Sequence, residues 1–119
     1  MCVWSAYAGN QSAAPLLWES LRKIEGIWGG YYTGLVTIDG NGLHWEKCVG
    51  CTEVWQQKYH LDDFPGCAGL IHSRTASGGD ANRAHPFVGA DGVVALVSQG
   101  STGIFKDNVE KFTACGNSM

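Results

Sequence analysis

The chain has 119 residues and a formal net charge of −3 at pH 7, because 11 Asp and Glu outnumber 8 Lys and Arg. This length suits a single domain, 1–119, and the scattered basic residues exclude an extended nucleic-acid-binding patch. No apolar run approaches the ~18 residues of a membrane span, and the start lacks the basic and apolar regions of a signal peptide. We therefore expect a cytoplasmic protein with no nucleic-acid or membrane partner, whose 5 cysteines are free thiols.

Strand and helix signals alternate along the chain, with turn residues between them. Ser12 can cap a helix that has Pro15 in its first turn and Gly26 after its end. The sequence Asp-Gly-Asn-Gly at 39–42 is a strong hairpin signal, and Thr52 is a possible cap for a second helix. The predicted elements are strands at 3–8, 32–38, 43–48, 67–71 and 93–97, and helices at 12–25, 52–60 and 106–115.

The order of these elements indicates the fold class. Hairpin-joined strands with helices between them favour α+β layers over a Rossmann-type parallel sheet. The strand at 93–97 is the most apolar in the chain. Residues 75–92 carry little regular signal, and a loop of that length in a small domain is usually functional or disordered.

Cys2 follows the first methionine and has two interpretations. A small second residue permits removal of Met1, which would leave Cys2 with a free α-amine that titrates near pH ~8. A thiol and an amine on one residue can serve as nucleophile and general base, as in N-terminal nucleophiles. Alternatively, Cys2 is an ordinary small apolar residue that opens a strand, because free cysteines are often buried.

Two further polar groups come at the ends of predicted strands. Arg74 lies just beyond the strand at 67–71, and arginine is the side chain best suited to hold a carboxylate through two hydrogen bonds. Gln99 and Gly100 follow the strand at 93–97, and a side-chain amide beside a glycine N–H can form an oxyanion hole. The alternatives are an arginine that satisfies loop carbonyls or a surface Asp, and a plain turn at 98–100.

A metal or redox function has weaker support. Cys48 and Cys51 have CxxC spacing, but the sequence offers no second pair of ligands for structural zinc. The motif also follows a hairpin strand, rather than lying at the strand-to-helix junction typical of thioredoxin-like proteins. The four histidines show no HxxxH or HExxH pattern. We therefore expect no cofactor or metal, and a redox or metal module is a minor alternative.

Four stretches of the chain carry a family resemblance. The sequence at 71–86 is similar to a His-Thr-Arg-Trp-Ala-Thr-His-Gly loop with a later Asn-Ala-His-Pro. The sequence at 97–100 is similar to a His-Asn-Gly sequence. Both motifs belong to the class II glutamine amidotransferase domain, an N-terminal nucleophile hydrolase, which the chain resembles most closely in the form found in glucosamine-6-phosphate synthase. The stretches are MCVWSAYAG at 1–9, LLWESLRKIE at 16–25, IHSRTASGG at 71–79 with NRAHP at 82–86, and VSQG at 97–100.

The resemblance implies hydrolysis of the glutamine side-chain amide through a glutamyl thioester, with ammonia passed to a synthase partner. By position, Cys2 would be the nucleophile and, through its α-amine, the base. Arg74 would hold the α-carboxylate of L-glutamine, and Ser77 would help to position the substrate. Gln99 and the Gly100 N–H would form the oxyanion hole. It also implies an αββα sandwich of which this chain is about half, so we expect a truncated domain that forms an oligomer or receives its second half from a companion polypeptide.

The chain also departs from the family pattern. Gln99, in the place of the oxyanion asparagine, is one methylene longer, and a displaced donor slows acyl transfer. The alternative function is therefore a non-catalytic relative, which acts as a binding or regulatory module or is an inactive remnant. The other departures are Val3 for a glycine, Trp28 for an arginine and Thr75 for a tryptophan.

Overall fold

The computed structural model describes residues 1–76 and 84–100 of the chain. Within them, four antiparallel strands form a sheet and a short hairpin forms a second one, so the fold is α+β as predicted. No helix in these two segments has the length and hydrophobicity needed to cross a bilayer. The main sheet has the order β1-β4-β2-β3, with β1 Val3–Ala8, β2 Tyr32–Asp39, β3 Gly42–Val49 and β4 Ala68–Arg74; the helices are α1 Ala13–Arg22 and α2 Thr52–Gln56, and the small sheet pairs β5 Phe87–Val88 with β6 Ala95–Leu96.

The predicted hairpin between β2 and β3 is confirmed. The Asn41 N–H donates a hydrogen bond of 2.8 Å to Asp39 Oδ1, which closes the turn locally. Gly42 has a φ of +121°, a value that side-chain-bearing residues rarely adopt. Thr37 and His44 then lie opposite each other, and the His44 ring reaches back to Asp39 at 2.9 Å.

One face of the main sheet is covered by α1. Leu17 and Leu21 of the helix are almost completely buried, as are Leu35 of β2 and Ile71 of β4, which form part of the same core. Burial of each such side chain stabilises the fold by about 1.5–3 kcal/mol relative to its exposure to water. The helical spacing of apolar residues in the sequence thus identified the face that packs on the sheet.

An aromatic cluster around Trp55 closes the end of this core. The Trp55 side chain has no exposed surface, and its ring centroid lies 4.6 Å from that of Trp18. Tyr59 and Phe64 pack on the same indole at 5.0 and 5.2 Å. The amides of Lys58 and Tyr59 bond the carbonyl of Trp55, so the chain turns tightly after α2 and brings Tyr59 back onto the indole.

The opposite face of the sheet is only partly covered. The β5–β6 hairpin lies over it, and between hairpin and sheet is an apolar cleft of about 540 Å³, which Val36, Leu70 and Val94 help to line. Outside the hairpin, Trp4 and Trp45 of the two edge strands are 49% and 40% exposed. This face is therefore the part of the described structure with the most exposed apolar surface on a regular element.

Several predicted elements differ in extent from the structure. The first helix is confirmed at Ala13–Arg22 rather than 12–25, and Ser12 at its N-cap makes no side-chain capping bond. The second helix stops at Gln56, because the turn onto Trp55 begins there. The strand predicted at 67–71 extends to Arg74, because β4 is paired on both sides. The helix predicted at 106–115 lies outside the described residues.

Thr52 does not cap α2 as predicted, because Cys51 occupies the N-cap position. The Thr52 N–H instead donates to Glu25 Oε1 at 2.9 Å, and the Thr52 hydroxyl donates to the same carboxylate. Glu25, 27 positions away in the chain, thus adds its negative charge to that of Glu53 in the first turn of α2. The loop that follows α1 is fastened to α2 by this contact.

The strand predicted at 93–97 is confirmed over only part of its length. Only Ala95 and Leu96 are extended and paired, and they pair with β5. The competing interaction is local: Asp91 Oδ1 accepts the Val93 N–H at 3.0 Å and draws that valine into the hairpin turn. Val93 is accordingly 67% exposed despite its apolar side chain.

Gly34 permits the closest packing on the partly covered face. A Cβ added to it would collide with the carbonyl group of His85 and the ring of Pro86. We expect Gly34→Ala to destabilise the chain by about 1–3 kcal/mol, because this backbone contact would have to open. Urea unfolding measures the change, and Gly40→Ala, where an added Cβ meets nothing within 4 Å, is the matched control. Equal stability of the two variants would contradict the expectation.

Candidate active site

The pairing of β1 with β4 determines where Cys2 lies. Val3 and Ser73 are opposite each other in this ladder. Cys2 precedes Val3 and Arg74 follows Ser73, so the thiol-bearing and guanidinium-bearing residues stand at the same end of the sheet. Cys2 is a free thiol that is partly exposed, and a reagent or substrate can therefore approach it from solvent.

Arg74 is held against a neighbouring strand. It lies opposite Tyr32 in the β2–β4 ladder, and its guanidinium carbon is 5.7 Å from the centre of the Tyr32 ring. A cation over an aromatic face is favourable and restricts the direction in which the side chain extends. Arg74 therefore presents a planar, permanently charged group at the end of the sheet where Cys2 lies, which suits recognition of a carboxylate.

A two-glycine loop connects the N-terminus to β4. The Gly29 N–H donates to the Met1 carbonyl at 3.0 Å, and the Gly30 N–H donates to Ser73 Oγ at 2.8 Å. Gly29 and Gly30 have φ values of +75° and +92°, which only glycine adopts without strain. A Cβ on Gly29 would also press against the buried Ser73 side chain. This loop therefore links the position of Cys2 to the strand that carries Arg74.

The predicted oxyanion donors lie in a turn above the same face of the sheet. Ser98 Oγ is 3.2 Å from Nε2 of His85, which connects this turn to the segment at 84–86. Gln99 and Gly100 follow directly and are exposed, and Gly100 has a φ of +122°. In sequence, the side-chain amide of Gln99 is followed by the backbone N–H of Gly100, the two donor types that an oxyanion hole combines. Ser77 lies outside the described residues.

Sequence analysis missed a pair of stacked histidines beneath this turn. The rings of His72 and His85 are 4.0 Å apart between centroids, and both side chains are buried. The two residues are 13 positions apart and belong to separate elements, so no spacing rule relates them. The available signal was that both fall within the stretches that carry the family resemblance, at 71–79 and 82–86.

Burial keeps both histidine rings neutral. Desolvation lowers the pKa of His72 to about 3, and the positive charges that His85 and Arg74 can carry lower it further. The backbone of Ser98 acts in the opposite direction and raises the pKa of His72. Within the described residues, neither ring nitrogen of His72 forms a hydrogen bond of normal geometry. Desolvation likewise lowers the pKa of His85 to about 4, with Arg74 and Lys47 as further causes. Neither ring carries a positive charge at pH 7.

The CxxC pair does not resemble a reactive centre. Burial raises the pKa of the Cys48 thiol, which disfavours the thiolate that redox chemistry and metal binding require. Cys51 occupies the N-cap position of α2, a helix of 5 residues. No group of three or more His, Cys, Asp or Glu side chains in the described part of the chain is arranged to hold a metal ion.

Sequence comparison finds clear relatives. The chain is 30% identical over 103 residues to a glutamine--fructose-6-phosphate aminotransferase (isomerizing) of Caldanaerobacter subterraneus. The alignment covers 84% of this chain and 17% of that protein. A Chlamydia trachomatis protein of the same name is 35% identical over 108 residues, covering 84% of this chain and 16% of its own length. One from Methanococcus maripaludis is 28% identical over 120 residues, covering 98% of this chain and 20% of its own. The chain thus spans about a sixth to a fifth of the curated relatives it matches. No protein-family model matches it.

The histidine pair makes stability depend on pH. In the unfolded chain each ring titrates near pH ~6.5, so below this value the unfolded state binds protons that the folded state excludes. We expect the free energy of unfolding to fall as the pH is lowered from 7 to 5, by about 1 kcal/mol or more per ring. Urea unfolding at both pH values measures this change.

A substitution tests whether the buried rings cause this dependence. His72→Gln should reduce the loss of stability between pH 7 and 5, because it removes one of the excluded protonation sites. His60→Gln, at an exposed position, should leave the loss unchanged. A pH dependence that is identical in all three proteins would show that the histidine pair is not its source.

Proposed function

Because the chain contains a glutamine amidotransferase domain related to that of glucosamine-6-phosphate synthase, we propose that it hydrolyses the side-chain amide of glutamine, with Cys2 as nucleophile. The observation that carries this proposal is the Val3–Ser73 pair, which leaves Cys2 and Arg74 at one end of the sheet. An antiparallel sheet with helices on one face is also compatible with half of an αββα sandwich, the N-terminal nucleophile hydrolase architecture. We propose that residues 1–119 form one such partial domain.

The proposed reaction begins once Met1 has been removed. The free α-amine of Cys2 accepts the thiol proton, and the thiolate attacks the amide carbon of glutamine. The Gln99 side-chain amide and the Gly100 N–H stabilise the negative charge that develops on the amide oxygen, while Arg74 holds the α-carboxylate. The α-ammonium protonates the departing nitrogen, and ammonia leaves a glutamyl thioester. Water, deprotonated by the same amine, attacks the thioester and releases glutamate and the Cys2 thiol. Ser77 is proposed to help position the substrate.

Exposure of Gln99 supports its proposed role despite its extra methylene. A longer side chain in a confined site would carry its amide past the developing oxyanion. Here the side chain is exposed at a turn, so its three rotatable bonds can fold the amide back toward the sheet. The cost is the rotamer freedom lost when the amide is fixed, about 1.5–2 kcal/mol for a glutamine side chain. The proposed enzyme is therefore slower than one with a shorter amide at this position.

The proposal is tested by intact mass spectrometry after incubation with diazo-oxo-norleucine, a glutamine analogue that alkylates a nucleophile. We expect one adduct per chain, lost in Cys2→Ala, because Cys2 is, among the cysteines of residues 1–76 and 84–100, the one next to Arg74, which would hold the analogue's carboxylate. Cys67→Ala is the matched control, since Cys67 is an exposed free cysteine outside the proposed site. The same spectrum reports whether Met1 is present.

Three outcomes of this experiment contradict the proposal. Labelling that persists in Cys2→Ala places the reactive nucleophile elsewhere. A chain that lacks Met1, yet neither reacts with the analogue nor releases ammonia from glutamine, is instead the non-catalytic relative, a binding or regulatory module or an inactive remnant. A chain that keeps Met1 has no free α-amine on Cys2, and the proposed mechanism is then wrong for that chain.

We also propose that a further polypeptide covers the exposed apolar face of the sheet. Trp4 and Ala6 on edge strand β1, with Ile38 and Trp45 on β2 and β3, form an apolar surface that the other described residues leave exposed. The candidates are a second copy of the chain, and a synthase subunit that receives the ammonia or supplies the second half of the sandwich.

Light scattering of the purified chain measures its mass in solution and tests whether a second copy covers this face. We expect a mass above that of the 12.8 kDa monomer. The described part of the chain has an exposed apolar face and two unpaired strand edges, which favour self-association. Trp4→Lys should shift the population toward monomer. A wild-type chain that is monomeric at high concentration and stably folded would contradict the proposal of a second copy.

A further inference from the structure

We propose that His85 is a positioning residue for the turn at 98–100. This turn carries the candidate oxyanion donors, which act at the end of the sheet where Cys2 and Arg74 lie. The inference concerns a residue that does not touch substrate and acts through Ser98. Its functional part rests on the proposed glutamine hydrolysis, whereas its structural part can be measured independently.

The backbone around His85 is fixed to the sheet by two kinds of contact. Its carbonyl group lies directly against Gly34 of β2, with no space for a side chain between them. Lys47 Nζ donates to the carbonyls of Ala84 and Pro86, on either side of His85, at 2.9 and 3.3 Å. The segment that carries His85 is thus joined to β2 by close packing and to β3 by hydrogen bonds.

The His85 ring is also held by its neighbours. It stacks on the His72 ring of β4 at 4.0 Å, and the Phe87 ring meets it edge-on at 4.6 Å. His72 has no exposed surface, so it provides a rigid base for the stack. Backbone and ring together leave His85 little freedom to move relative to the sheet.

The hydrogen bond from this fixed ring reaches the turn. His85 Nε2 and Ser98 Oγ are 3.2 Å apart, and Gln99 and Gly100 are the next two residues. Donors that stabilise a developing oxyanion act best when their positions are set before the reaction. A bond to the residue immediately before both donors provides such a constraint, even though Ser98 and Gln99 are exposed to solvent.

Packing alone does not account for a histidine at this position. Among the described residues, His85 Nδ1 has no hydrogen-bond partner although it is buried, which costs free energy that a phenylalanine would not incur. A phenylalanine could also stack on His72 and meet Phe87. The hydrogen bond to Ser98 is the interaction that phenylalanine cannot make, and it is the one that leads to the candidate donors. Because the ring is neutral at pH 7, it contributes direction rather than charge.

The experiment compares His85→Phe, His85→Gln and Ser98→Ala with the wild-type chain. Hydrogen exchange of the Gln99 and Gly100 amides should be about tenfold faster in His85→Phe and Ser98→Ala, since each removes the anchor of the turn. For glutamine hydrolysis, kcat should fall about tenfold or more with little change in KM, because Arg74 still binds the carboxylate. His85→Gln, whose amide can reach Ser98, should recover part of both effects.

A double variant and a control sharpen the test. His85→Phe combined with Ser98→Ala should lower kcat no further than either alone, because both remove one bond. The control is His44→Phe, since His44 also bonds a side chain, Asp39, but at the opposite end of the sheet. It should change neither the exchange at 98–100 nor kcat.

Unchanged amide exchange in both His85→Phe and Ser98→Ala would overturn the proposal, as would a rise in KM with kcat unaffected. Ser98→Ala, at an exposed position, keeps the test valid if His85→Phe does not fold. If the wild-type chain hydrolyses no glutamine, the proposed function has failed. In that case the exchange of the Gln99 and Gly100 amides still decides whether His85 holds the turn.

Discussion

The pairing of β4 with strands on both of its sides is the constraint on which the rest of the structure depends. Residues alternate between the two faces of a strand, so the burial of Ile71 in the α1 core sends His72 to the other face. A slip of one residue would place a histidine in the apolar core and is therefore strongly disfavoured. The register fixed in this way also puts Cys2 beside Arg74 and brings Ser73 under the glycine loop. The register of β4 thus positions groups from three parts of the chain.

The electrostatic character of the candidate site follows from what surrounds the histidines. Arg74 and Lys47 are the cations that help to keep the rings neutral, and burial of Lys47 lowers the pKa of its own ammonium group. Arg74 and Lys47 thus place cationic groups near the neutral histidine rings in a partly dry environment, where charge interactions are stronger than in water. Such surroundings agree with the proposed role of Arg74, which is to hold the carboxylate of the substrate.

Local chemistry explains which parts of the fold were predictable. The 39–42 turn was recognised because its residues bond one another, and α1 was recognised because its apolar spacing is helical. The apolar run at 93–97 predicted too long a strand, because the hydrogen bond from the Val93 N–H to Asp91 forms a local turn there. Arg74 and Gln99 were proposed as site residues from their chemistry and from resemblance, and their roles stay predictions. The His72–His85 stack was not, because it arises only when the 84–86 segment packs on Gly34.

The hydrogen bond between Gly29 and the Met1 carbonyl has a consequence for when the first residue can be removed. The bond engages the carbonyl of the peptide that an aminopeptidase must polarise and cleave. In the folded chain this carbonyl is held inside a loop that is itself anchored to Ser73 of β4. In the nascent chain, before residues 29 and 73 have been synthesised, the same carbonyl is free. For the proposed removal of Met1, this bond predicts that processing is easier before the loop at 29–30 packs against Ser73, and that the folded chain is a poorer substrate for an aminopeptidase.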